Sequence, residues 1–188
     1  YLDFLPKIGE TMWYVATVDN EWVSLLGFSA SALKCKVRDV WIGWGYRHQY
    51  GRLKLIVNNS RFLILPGWHI KNLASRTISL CLKRLVDDWS IVFGHKIILV
   101  ETFVDPGRFL GTVYKATNWL YIGNTRGFRR VRGGYGKAVG KPKMMFVKPL
   151  HRNARRILSQ PILKDSYKTG GVKMQIRAEH MFSLPVFF

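Results

Sequence analysis

The stretch Val100–Gly127, "VETFVDPGRFLGTVYKATNWLYIGNTRG", decides how the rest of the chain is read. Its opening residues finish "KIILVETFV", a near-continuous apolar run of the kind found in a strand buried on both faces. "GRFLGTVYKATNW" then reads as a short helix, and "LYIGNTRG" as a strand that stops at Gly123. Ligands of α/β sheets collect at the C-terminal ends of strands. Glu101, Asp105 and Tyr114 are therefore candidate catalytic groups. Each also has a structural reading. Asp105 can cap the next helix, with Pro106 at its first position. Glu101 inside an apolar strand demands a partner such as Arg61 or Arg76. Tyr114 can be a core aromatic. Asn118 suits a left-handed corner, and Trp119 suits the core.

Upstream, "NLASRTISLCLKRLVDDW" is the clearest helix: Ala74, Ile78, Cys81, Leu82 and Leu85 recur at its period. "TMWYVATVDNEWVSLLGFSA" reads as a hairpin, Trp13–Val18 and Trp22–Phe28 turning at Asp19-Asn20. "SASALKCKVRDVWIGW" offers Ser29 and Ser31 as N-caps of a short helix ended by Gly43 and Gly45. "RLKLIVNNSRFLILP" holds two strands, Leu53–Val57 and Phe62–Leu65, around "NNSR". The order predicts an α/β fold with a mixed sheet and one parallel crossover.

The chain carries 30 Lys+Arg against 11 Asp+Glu, a net charge of +19. Such an excess repels itself in the folded state and favours a polyanionic partner, with nucleic acid first. No stretch reaches the length of a membrane span, and no basic amphipathic helix points to a membrane surface. Cys35 and Cys81 are far apart and belong to no Cys/His cluster, so no metal site is expected. Reduced, buried thiols in a cytoplasmic protein are the reading for both.

Residues 124–177 hold half of all Lys and Arg, with Asp165 the one acid among them. "RGFRRVRGGYGKAVGKPK" reads as a flexible, glycine-rich basic arm. "MMFVKPLHRNARRIL" adds a strand and a short basic helix. "AEHMFSLPVFF" is an apolar tail that docks on the body or leads into a further domain. Candidate nucleic-acid contacts are Arg126, Arg129, Arg130, Arg132, Lys137, Lys141, Lys143, Arg152, Arg155 and Arg156. Tyr135, Phe128, Trp41, Trp44 and Trp68 are candidate stacking surfaces for bases.

The helix opened by "NLASRTIS", the strand "IILVETFVD", the helix "GTVYKAT" and the strand "NWLYIG" together resemble the core of the GNAT N-acyltransferase fold. The strings themselves are similar to Mom-type phage DNA-modification proteins. They are more similar still to the family that includes the Druantia anti-phage protein DruA, on "RDVWIGW", "VNNSRFLILP", "NLASR", "VETFVD", "GTVYKATNW" and "PLHRNARRIL". The same domain is similar to the N-terminal part of some insertion-sequence transposases. The resemblance implies a GNAT-like mixed twisted sheet flanked by helices over residues 1–123. Residues 124–188 supply the basic arm, the strand, the short helix and the tail.

It also implies a donor site where two strands splay apart, with Asn72, Ser75, Arg76 and Arg61 as candidate donor ligands and Tyr114 as the acid for a departing thiolate. The (Q/R)xxGx(G/A) loop that would cradle an acyl-CoA pyrophosphate is degenerate here as "HIKNLA", so acetyl-CoA is one option and the donor stays open. The function expected from residues and resemblance together is DNA binding in an anti-phage or transposition system. The domain would position single- or double-stranded DNA for a helicase or nuclease. The alternative is transfer of an acyl-type group to a DNA base, at an adenine amine.

Overall fold

The computed structural model describes residues 9–131, 134–168 and 179–186; the side chains of Tyr46 and of residues 128–131, 134–139 and 179–180 lie outside the description. Strands β1 (Thr11–Val18) and β2 (Glu21–Ala30) form the expected hairpin. Its turn residues Asp19 and Asn20 both take left-handed backbone, φ 48° and 66°, as a two-residue hairpin turn requires. Helix α1 (Lys36–Ile42) follows and ends at Gly43, whose φ of 81° closes it. Two local expectations fail here. Ser29 lies in β2, and Cys35 rather than a serine precedes the helix.

Gly45 opens a second helix, α2 (Tyr46–Arg52), over residues to which the sequence reading gave no element. After one 3-10 turn, strand β3 (Ile56–Ile64) runs straight through "NNSR". The two strands read from the sequence are thus one strand with a bulge. Phe28 pairs with Asn59 and Gly27 with Arg61, which leaves Ser60 as the extra residue.

Helix α3 (Leu73–Phe93) is longer than its apolar repeat suggested and stops at left-handed Gly94. It buries Leu73, Ile78, Cys81, Leu85 and Trp89 against the sheet. Truncating a fully buried Trp89 would cost about 3–5 kcal/mol. Strand β4 (Leu99–Val104), helix α4 (Thr112–Ala116) and strand β5 (Leu120–Asn124) complete the deciding stretch. Asn118 is left-handed at φ 58°, and Trp119 is buried, as their positions implied.

The glycine-rich basic stretch, read from the sequence as a flexible loop or arm, contains regular structure. It holds strands β6 (Phe128–Val131) and β7 (Gly134–Val139), which among the described residues pair with each other in a two-stranded sheet of their own. Strand β8 (Met144–Pro149) then returns to the main sheet, followed by helix α5 (Ala154–Ser159). Strand β9 (Glu179–Pro185) docks the tail, running parallel to β1.

The main sheet has seven strands in the order β5-β8-β4-β3-β2-β1-β9. Its mixed character and flanking helices match the expected fold class, but there are two parallel pairs, β3–β4 and β1–β9, rather than one. Strand alternation sends successive residues to opposite faces. Val100 and Phe146 pack with α3 and α4, whereas Leu99, Met145 and Val147 pack with α1 and α5. Among the described residues no helix is long and apolar enough to cross a membrane.

Candidate functional site

The parallel strands β3 and β4 share only three paired positions, Ile56–Leu99, Val57–Val100 and Asn58–Glu101. Beyond these they part, and side chains fill the fork. Tyr114, reaching in from α4, donates its hydroxyl to Asn59 Oδ1 at 2.8 Å. Thr102 donates to the Asn59 carbonyl at 3.0 Å and lies 3.4 Å from the Tyr114 hydroxyl. The Asn59 amide nitrogen spans the bulge, donating to the carbonyls of Gly27 and Arg61 at 3.2 and 3.0 Å. All three side chains are buried, and Tyr114 stacks on Phe146 and meets Trp119 edge-on. Tyr114 is at the split as expected, but its hydroxyl hydrogen is committed to Asn59.

Glu101 is on the other face of β4. It is fully buried, and its carboxylate accepts from Arg38 Nη1 at 3.2 and 3.3 Å. The partner is on α1; it is neither Arg61 nor Arg76. Arg38 is equally buried and donates to the carbonyls of Ala32 and Leu33 and to Asp39. Burial pushes the Glu101 carboxyl up, and the Arg38 guanidinium opposes that shift. Glu101 and Tyr114 therefore cannot act on one substrate atom, because the sheet lies between them. Arg38, Asn59 and Thr102 hold these two arrangements together, and the sequence reading named none of them.

Asp105 does not cap a helix. Its carboxylate accepts from the Gly107 N–H at 3.0 Å and forms a turn, while α4 starts only at Thr112 behind left-handed Gly111. The donor candidates divide. Asn72, Ser75 and Arg76 line one groove of about 450 Å³ at the start of α3, together with Lys83, Thr117 and Pro185. Asn72 is left-handed at φ 62°, and Ser75 donates to its carbonyl at 3.0 Å. Arg61 sits beside the β3 bulge, where its guanidinium donates to the Ser60 carbonyl at 2.9 Å. Glu101, Asp105, Tyr114 and Arg61 are not among the lining residues of this groove.

Of the expected nucleic-acid contacts, Arg126, Lys141 and Lys143 are exposed at the base of the β6–β7 hairpin. Arg129 and Arg130 lie on β6 and Lys137 on β7, while Arg132 is outside the described residues. The hairpin is tied at its base by Thr125, whose N–H donates to the Lys143 carbonyl and whose hydroxyl accepts from the Lys143 N–H. Arg152, Arg155 and Arg156 are exposed at α5, and Arg155 lies 5.8 Å from the Trp41 ring centre. The proposed stacking tryptophans are not exposed: Trp44 is buried, and Trp41 and Trp68 are half-buried in the core's margins. Phe128 and Tyr135 have no described side chains. Both cysteines are buried and free, and among the described residues no group of His, Cys, Asp or Glu is placed to hold a metal.

A mixed α/β sheet forked between its parallel central strands is the class of fold this chain defines. The chain belongs to the family described as Druantia protein DruA, which matches residues 1–139. No curated protein matches it. Among solved structures it is similar to the smu.2055 protein of Streptococcus mutans UA159, at 11% identity, 73% of this chain, 68% of that one and a TM-score of 0.42. It is similar to a chimera of spermidine N-acetyltransferase SpeG from Vibrio cholerae and hSSAT, at 12% identity, 69% and 59% coverage and a TM-score of 0.41. It is also similar to yncA, a putative acetyltransferase of Salmonella typhimurium, at 9% identity, 71% and 61% coverage and a TM-score of 0.40. The chain thus spans about three fifths of the length of these two acetyltransferase chains. Likenesses this loose carry no functional argument.

Proposed function

We propose that this chain is a DNA-binding module of an anti-phage defence or transposition system, holding DNA for a helicase or nuclease partner. The observation that carries this reading is the basic β-hairpin. Among the described residues it forms a sheet separate from the main one, and it bears Arg129, Arg130 and Lys137 on its strands, with Arg126, Lys141 and Lys143 at its base. A two-stranded ribbon fits the DNA major groove, and phosphate contacts from such an arm position the protein without reading sequence. The net charge of +19 supplies the long-range attraction. The test is a salt titration of duplex and single-stranded DNA binding by wild type and by a variant neutralised at Arg129, Arg130 and Arg132. The variant binds more weakly, and the slope of log K against log salt falls by about one for each phosphate that is no longer neutralised. Equal affinity and slope would remove the arm from the interface.

A second reading, an acyl-type transferase acting on a DNA base, is favoured by the groove that gathers Asn72, Ser75 and Arg76 at the start of α3. A helix start is a natural seat for a phosphate-bearing donor. Digestion of DNA exposed to the protein, followed by mass analysis of the nucleosides, tests it. An unmodified profile under conditions where DNA is bound leaves the binding module alone.

A further inference from the structure

Strand β5 ends the main sheet on one side, and Tyr121 on it is 52% exposed. The side chain is nevertheless held in place. Its hydroxyl donates to Asn124 Oδ1 at 2.9 Å, and its ring leans on Phe146, with ring centres 5.5 Å apart and planes tilted by 53°. Phe146 is itself fully buried and stacked on Tyr114, so Tyr121 rests on the core. The loop before α4 reaches the same support: a Cβ on Gly111 would lie 2.7 Å from Phe146 Cζ. The two residues before it, Phe109 and Leu110, are exposed, Leu110 by 74%. Large apolar side chains gathered at the surface on a rigid support mark a contact site.

The surrounding charge selects the partner. Asn124, which holds the Tyr121 hydroxyl, pairs with Met144, and one position further on Thr125 bonds the Lys143 backbone. Arg126, Lys141 and Lys143 are exposed there, at the base of the basic hairpin, and no acid occurs in the sequence between Asp105 and Asp165. A second copy of the chain would bring the same cations against these and be repelled. A polyanion with flat apolar faces meets both features. We infer that Tyr121 is a stacking platform for the bases of single-stranded DNA, whose phosphates pass Arg126, Lys141 and Lys143 on the way to the hairpin. A ring already held in place loses little rotamer freedom when a base stacks on it. Every base has a π-face, so the platform tolerates any sequence. Paired bases keep their faces inside the duplex stack, so an unpaired strand is the favoured form. This inference rests on the DNA-binding reading and adds to it the form of the strand and a contact residue outside the hairpin.

The experiment uses the intact chain with oligothymidylate, an abasic strand of the same length and a duplex, with binding read by fluorescence anisotropy. Tyr121→Leu is expected to weaken oligothymidylate binding by about tenfold, with the salt slope unchanged because no phosphate contact is lost. Tyr121→Phe, which keeps the ring, is expected to bind as wild type does. Neither change is expected to alter affinity for the abasic strand or the duplex. An oligothymidylate carrying iododeoxyuridine is expected to cross-link to Tyr121 of the wild-type protein, a readout that needs no variant to fold. Equal losses on thymidylate and abasic strands in Tyr121→Leu, no loss on either, or a cross-link confined to other residues overturns the platform while DNA binding stands. A dimer that Tyr121→Leu dissociates assigns the surface to a second copy and overturns it as well. Failure of all three nucleic acids to bind overturns the DNA-binding reading and this inference with it.

Discussion

Arg38 Nη1 stands 3.2 Å from Glu101 Oε1, and neither side chain exposes any surface. Each charge is tolerable only because of the other. Arg38→Ala or Glu101→Ala is expected to lose about 3–5 kcal/mol of unfolding free energy, since each strands one buried charge. The double variant Arg38→Met with Glu101→Leu is expected to cost far less than the two single changes added. Urea unfolding of the four proteins measures this. Additive losses would show that the pair is not coupled.

Tyr114 joins the two arms of the fork through Asn59 and Thr102. Tyr114→Phe keeps the ring contacts and removes the donor, leaving Asn59 Oδ1 unpaired. A loss of about 1–3 kcal/mol is expected. Its thermal midpoint is the simplest readout, and an unshifted midpoint would mean that the fork is held by packing alone.

Gly127 has φ 76°, and a side chain there would run into the Gly140 carbonyl oxygen, where the two legs of the basic hairpin cross. Gly127→Ala is expected to splay the hairpin and weaken DNA binding several-fold. Because β6 and β7 form a sheet separate from the seven-stranded one among the described residues, the midpoint of the main unfolding transition should hardly move. Loss of global stability with DNA affinity intact would contradict both halves of this expectation.

Burial, reinforced by Glu101, pushes the Cys35 thiol from its ordinary 9.0 to about 11. The folded protein therefore holds this proton more tightly than the unfolded chain does. The contribution, roughly 2–3 kcal/mol, is fully present below pH 9 and is lost as pH rises through about 11. Cys35→Ala should remove that loss, so the stability difference between the two proteins narrows across this window. At neutral pH a disulfide reagent should label neither cysteine in the native protein and both after denaturation. Native labelling of Cys35 would show that the α1 face opens.

Elements fixed by local chemistry were legible in the letters. Asp19-Asn20 announced a hairpin turn, the apolar period announced α3, and Asn118 announced its corner. The bulge at Ser60 was hidden because polar "NNSR" looks like a loop until Asn59 is seen bonding Gly27, a residue on the neighbouring strand. Helix α2 was missed because "YRHQYGR" has no apolar stripe; its Gln49 and Arg52 are buried through tertiary contacts, Arg52 by donating to the Leu158 and Pro161 carbonyls. The candidate site was read as one cluster, and the structure sets its residues on opposite faces of the sheet. Glu101 and Tyr114 are neighbours in the motif, but strand alternation puts Thr102, not Glu101, beside Tyr114. One signal did exist for Arg38: it falls at helical spacing between Cys35 and Ile42, both of which are buried.

The parallel pairing of β9 with β1 joins positions separated by about 170 residues of chain, a separation that slows folding. Until Glu179–Pro185 arrives, the outer edge of β1 lacks this partner and presents open backbone groups to any other strand. During synthesis that interval lasts while the chain between the two strands is made, because domains assemble from the N-terminal side first. The hairpin β1–β2 must therefore wait with one edge uncovered. A chaperone or a pause acting before β9 is made would meet this edge first, and the arrival of β9 is what ends the exposure.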